Sequence, residues 1–141
     1  MRRIFWDTML FAYLFDAHPT YGPRVRKIYN AMTKRRDTLL SSTVILGEVI
    51  VGPYKTSSLS GIDRVESLFS SSEIALLPYP PEATRIFAKL RAIDGVKAMD
   101  ALHLATAAHA SVDLFLTNDR RLNKLAIPGI QFIAGLDTDL F

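Results

Sequence analysis

The 141-residue chain contains no cysteine. Disulfide bonds and thiolate metal sites are thereby excluded, which fits a reducing compartment. Histidine is scarce: there are three, and no two have the helical spacing of a metal-binding pair. No apolar run approaches the ~18 residues that a membrane helix needs. The opening MRRIFWDTMLFAYLF has the outline of a secretory leader, but Asp7 interrupts its apolar part and no small-x-small cleavage site follows. We therefore expect a cytoplasmic protein without a membrane partner. Neither a G-x-G-x-x-G nor a Walker sequence occurs, which argues against a nucleotide-binding fold. Repeats, linkers and low-complexity segments are also missing.

What is present is globular: 49% of the residues are hydrophobic and 22% are charged, in a length that suits one domain over residues 1–141. Seventeen Lys and Arg against 14 Asp and Glu leave a formal charge of +3. That mild excess permits a nucleic-acid partner without demanding one.

Short apolar runs alternate with helical patterns. RIFWD (3–7) reads as a strand, followed by a helix from Thr8 to about Phe15. HPTYGP breaks the chain before a basic helix that ends near Arg36. TLLSS (38–42) is a second strand, leading into the helix that carries Glu48. Gly52-Pro53 is expected to stop that helix. After a loop at KTSSLSG come a helix from about Ile62 to Phe69 and a strand in EIALLPY. Pro80-Pro81 open a helix lasting to about Ile93, and Asp94-Gly95 turns the chain into another, Lys97 to Ala110. VDLFLTND supplies the fourth strand; a short helix and a fifth strand near IQFIA close the fold. Such alternation predicts an α/β fold, a three-layer α/β/α sandwich around a central parallel sheet of four to five strands. In these sheets ligands bind beyond the carboxyl ends of the strands.

Four acids draw attention. Asp7 ends the first strand and Asp119 ends the fourth. Glu48 lies in STVILGEVIVGP, a segment with almost no polar face; its same-face neighbours are Val44, Ile45 and Val51. A carboxylate packed there needs a cation. Asp100 opens the Ala- and Leu-rich helix VKAMDALHLATAAHA. Each has an ordinary structural role open to it: Asp7 and Asp119 as helix caps, Asp100 as a helix-dipole partner, Glu48 as the mate of a buried Arg. Taken singly, Asp100 and Asp119 read as structural and Glu48 as functional. Together, four acids at related ends of α/β units read as a site, while the other ten acids read as solvated.

Carboxylates without cysteine point to a hard cation, Mg²⁺ or Mn²⁺ rather than zinc. His103 can share a helix face with Asp100 and reads as a packed or supporting residue; His109 falls on the opposite face. His18 sits in a loop before Pro19.

These motifs resemble the PIN-domain family, close to the toxins of VapBC-type toxin–antitoxin pairs, across essentially the whole chain. IFWDT resembles the family's first strand with its acid, Asp7; SSTVILGEVIVG its second motif, with Glu48; KAMDALHLATA its third, with Asp100; LFLTNDRRL its fourth, with Asp119. One departure is Met9, where members often carry Asn or Ser. The resemblance implies a Mg²⁺- or Mn²⁺-dependent endoribonuclease with Asp7, Glu48, Asp100 and Asp119 as catalytic metal ligands. Glu48 or Asp119 would alternatively orient the attacking water. It also implies a toxin role, an antitoxin partner and a homodimer.

Thr8, Thr117 and Asn118 are supporting candidates, and Arg120 and Arg121 are candidate RNA contacts. The basic helix offers Arg24, Arg26, Lys27, Lys34, Arg35 and Arg36 either to phosphates or simply to solvent. MLFAYLF, after Asp7, reads as core that could partly line a groove for an antitoxin or a second subunit. Two other enzymatic readings and one binding reading compete. A haloacid-dehalogenase-type phosphatase needs an Asp at position 9 and is rejected. A housekeeping RNA-processing nuclease and a non-cutting RNA- or protein-binding module stay open.

Overall fold

The computed structural model describes residues 1–141. Five strands form one parallel sheet: β1 (Arg3–Trp6), β2 (Thr38–Ser42), β3 (Ile74–Leu77), β4 (Val112–Leu116) and β5 (Ile130–Ala134). Six α-helices cover it: α1 (Thr8–Phe15), α2 (Tyr21–Arg35), α3 (Thr43–Lys55), α4 (Leu59–Ser70), α5 (Thr84–Ala92) and α6 (Ala98–Ala110). The architecture is the expected α/β sandwich. Its central strand is buried on both faces, with Ile4, Phe5 and Trp6 wholly shielded from water. Phe5 pairs in register with Phe115 of β4, and their rings stack at 5.3 Å.

Spatial order is β3-β2-β1-β4-β5. The chain winds outward from β1 through β2 to β3, then returns to the other side of β1 for β4 and β5. Right-handed crossovers send the connecting helices to opposite faces in the two directions. Accordingly α1 packs on α2 and α3, and α3 on α4, while α5 packs on α6. The winding reverses between β1 and β4, so a crevice opens beyond the carboxyl ends of those two strands.

Several boundaries differ from expectation. Helix α3 does not stop at Gly52-Pro53 but runs to Lys55. Pro53 removes only the bond to the Val49 carbonyl. The carbonyls beyond it are satisfied: Thr56 N–H donates to Gly52 O (3.2 Å) and Ser58 N–H to Pro53 O (2.8 Å). Helix α4 starts at Leu59, within the expected loop, because the Ser58 side chain caps it by accepting from Gly61 N–H at 3.0 Å. Helix α2 starts at Tyr21, with Pro23 in the first turn, where its missing N–H costs nothing. Pro80-Pro81 open only a single 3₁₀ turn, Pro81–Ala83, before α5 begins. Nor are the ten remaining acids all solvated. The Asp37 side chain is buried and accepts from Arg2 N–H at 2.8 Å.

Candidate active site

The crevice between β1 and β4 is where the first acid sits. Asp7 directly follows β1 and is buried. Its N–H donates to Leu116 O (3.0 Å), which continues the β1–β4 ladder by one bond. Its side chain does two things at once. Oδ1 caps α1 by accepting from Thr8 N–H at 2.8 Å, and Oδ2 accepts the Thr117 hydroxyl at 2.7 Å. The capping role anticipated for Asp7 is therefore real, and it fixes the carboxyl at the strand end. Thr117, also buried, accepts from Asp119 N–H at 3.1 Å through the same hydroxyl oxygen. One hydroxyl thus ties the end of β1 to the loop after β4, where Asp119 lies beyond the strand that it was expected to end.

Asp100 enters from the first turn of α6. Burial raises its carboxyl above the ordinary carboxylate range. Asp7 and then Asp119 push it further, while His103 and Arg121 pull it back. These three carboxyls therefore share one electrostatic neighbourhood. Asp119 has turned onto Arg121, accepting at Oδ1 from Nε (3.0 Å) and at Oδ2 from the terminal nitrogen (2.7 Å). That two-pronged pairing holds the Asp119 carboxyl below its ordinary value. Asp100, Asp119, Arg121 and Lys97 line one small cleft.

Glu48 lies beside them on α3. Its face is not the packed one that periodicity suggests: Val51 is 48% exposed, and the Glu48 side chain is 30% exposed. One flank of that face therefore meets solvent. Its polar mates are Thr8, whose hydroxyl donates to Oε1 at 2.7 Å, and His103, whose Nε2 lies 2.5 Å from the same oxygen. The partner found for it is thus an imidazole from α6 and not an arginine. Nε2 carries the hydrogen, because a carboxylate offers only acceptors. His103 is buried and its Nδ1 has no partner.

No three carboxyl or imidazole groups stand close enough together to hold a metal ion. The reason is local. Glu48 is drawn to His103 and Thr8, and Asp119 to Arg121, so the four acids do not converge as a single ligand set. The donor chemistry still suits a hard divalent cation: the acids offer carboxyl oxygens with no thiolate among them, and the charge repulsion felt by Asp100 is the kind that a cation relieves.

The other candidates divide. Asn118 donates through Nδ2 to the Tyr13 hydroxyl at 2.9 Å, a partnership that nothing in the sequence signals. Arg120 is exposed, whereas Arg121 is engaged by Asp119. Within the basic helix, Arg24 and Arg35 hold the C-terminal segment by donating to Leu136 O (3.2 Å) and Leu140 O (2.7 Å). His103 had a sequence signal, its i+3 spacing from Asp100; its grip on Glu48 did not.

The family model described as PIN domain matches residues 4–128. No curated protein matches the chain by sequence. Among solved structures it is similar to VapBC2 from Rickettsia felis bound to a DNA fragment from its promoter. That similarity has a TM-score of 0.75 and 17% identity over 94% of this chain and 97% of the other. A toxin–antitoxin complex from Klebsiella pneumoniae gives a TM-score of 0.70, with 20% identity over 90% and 94%. VapC20 of Mycobacterium tuberculosis, a sarcin–ricin loop cleaving toxin, gives 0.67, with 15% identity over 79% and 86%.

Proposed function

The chain belongs to the PIN-domain family, and from that premise we propose that it is a Mg²⁺- or Mn²⁺-dependent endoribonuclease, the toxin of a toxin–antitoxin pair, folded as one domain over residues 1–141. The observation that carries this reading is the half-buried Asp100 carboxyl, set against both Asp7 and Asp119 at the reversal point of the sheet. Three acids in one field are costly to maintain without a counter-ion.

Asp7 and Asp100 would hold the cation, joined by Asp119 once Arg121 lets go. The chemistry such an ion supplies when bound is activation of water and neutralisation of charge at phosphorus. The chain's own groups do the rest. Thr117 holds the Asp7 carboxyl in place. His103 and Thr8 take up Glu48 Oε1, leaving Oε2 to orient a water and accept its proton. Arg120 is placed to meet a backbone phosphate, and so is Arg121 when it exchanges Asp119 for one.

Similarity to the VapBC2 complex and to the Klebsiella complex supports an antitoxin partner. Such a partner would block the site by inserting a basic side chain among the acids. A homodimer belongs to the same reading, as does a cytoplasmic location; no helix is long and apolar enough to cross a membrane. A non-cutting module is the second reading. The pairing of Asp119 with Arg121 and of Glu48 with His103 favours it, since both acids are already satisfied.

An RNA cleavage assay separates the two. The purified protein should cut single-stranded RNA with Mn²⁺ or Mg²⁺ and stop on chelation. Asp7→Asn and Asp100→Asn should abolish cutting while keeping the fold. Undiminished cutting by both variants would contradict the assignment, and no cutting by the parent would leave the binding module.

A further inference from the structure

Beside the acids, on the β5 side, lies a polar cavity of about 210 Å³ that the acid chemistry leaves unused. Its floor is Thr117, whose hydroxyl is bonded to Asp7. Arg24 and Arg120 line it with two cations against the one carboxylate of Asp137, Asn118 and Asn123 with two amides, and Tyr21 with an aromatic residue. The wall is built rather than incidental. Tyr21 stacks on His18 at 5.0 Å and packs on Tyr13 at 4.9 Å. His18 is itself fixed, because its Nδ1 accepts from Thr20 N–H (3.1 Å) and Tyr21 N–H (3.0 Å). The Tyr13 hydroxyl then takes Asn118 Nδ2, which leaves Asn118 Oδ1 as an acceptor.

We propose that this cavity is a nucleotide-binding subsite, which seats the RNA residue next to the scissile phosphate and sets base preference at that position. The proposal rests on the endoribonuclease reading for its substrate. The cavity supplies it with cations for a phosphate, amides for a base edge and a rigid aromatic wall for a base face. It is smaller than the pockets that hold drug-sized ligands, which suits the base of one nucleotide with its backbone at the cavity mouth. Because Thr117 belongs to both places, a nucleotide seated here lies alongside the Asp7 carboxyl. Arg24 keeps one nitrogen on Leu136 O, so the C-terminal segment closes the far side of the subsite. Gly135 lines the cavity too, and a Cβ there would stand 2.9 Å from Asp137 Oδ1 and 3.8 Å from Asn123 Nδ2. Gly135→Ala therefore narrows the subsite without changing charge.

The test has two arms. In the first, Asp100→Asn protein in chelator is titrated with fluorescent single-stranded oligo-A, oligo-C, oligo-G and oligo-U. Affinity should differ among the four. Adding Asn123→Ala or Gly135→Ala should level those differences and weaken the preferred oligomer by about tenfold, equivalent to about 1.4 kcal/mol. Adding Arg85→Ala, on the exposed side of α5, should change neither. In the second arm, otherwise wild-type Asn123→Ala and Gly135→Ala proteins cut a random-sequence RNA library with Mn²⁺. Base preference at one position beside the cut should relax relative to the parent. Unchanged base ranking in the first arm overturns the subsite, whatever the library shows. Loss of ranking in the first arm with no cutting by the parent in the second upholds the subsite and overturns only the nuclease reading.

Discussion

Arg121 spans Asp119 with two hydrogen bonds while its own guanidinium stays largely in solvent. An exposed pair of this kind contributes little to folding, because water screens it. Its consequence falls on the acid, which it occupies. Arg121→Ala should leave the unfolding midpoint essentially unchanged and tighten Mn²⁺ binding by freeing Asp119, as read by calorimetric titration. Weaker Mn²⁺ binding would mean that Arg121 positions Asp119 instead of competing for it. Asp100 offers a second test at this scale. Its folded-state carboxyl titrates above the unfolded value of about 3.9, chiefly through burial and then through Asp7 and Asp119. The folded state therefore binds the proton more tightly than the unfolded chain does. Ionised Asp100 costs stability at neutral pH, and that cost fades as pH falls through the folded-state value. In chelator, Asp100→Asn should melt above the parent near neutral pH, and the two melts should converge below the unfolded value. A variant that melts below the parent at neutral pH would give Asp100 a structural role instead.

Elements were legible where the pattern was local. Ile4, Phe5 and Trp6 form an apolar run closed by Asp7, and Leu39 and Leu40 one closed by the capping Ser42, so β1 and β2 follow directly. The end of α3 was not legible, because a proline in a last turn forfeits one bond while Thr56, Ser57 and Ser58 satisfy the carbonyls beyond it. Asp7 could be placed at its strand end for the same local reason, whereas β4 stops at Leu116 and leaves Asp119 in the loop beyond the strand that it was expected to end. The partners of Glu48 and Asn118 could not, since His103 and Tyr13 reach them from helices distant in sequence. The connection into β5 carries the clearest element-scale prediction. Gly129 has φ +100°, and a Cβ on it would stand 2.2 Å from Ala108 O at the end of α6. Its carbonyl also accepts from Val112 N–H at 2.9 Å, which ties the turn to β4. Gly129→Ala combines left-handed strain with overpacking and should cost roughly 2–5 kcal/mol. Urea denaturation measures it, and a loss below about 0.5 kcal/mol would show that the turn shifts freely.

At the scale of the whole molecule, 29 buried residues form one contiguous core around β1, and the acids stand at the carboxyl end of that core. The fold is well buried in the middle and strained by like charge at one edge. A divalent cation should therefore act on stability as well as on chemistry. Thermal unfolding of the parent and of Asp100→Asn, each in chelator and in Mn²⁺, tests this most directly. The parent should gain up to about 2.7 kcal/mol at a metal concentration near 100 times the dissociation constant. Asp100→Asn should start higher in chelator and gain much less. Equal stabilisation of the two proteins by Mn²⁺, or none in the parent, would contradict a metal site built from Asp7, Asp100 and Asp119.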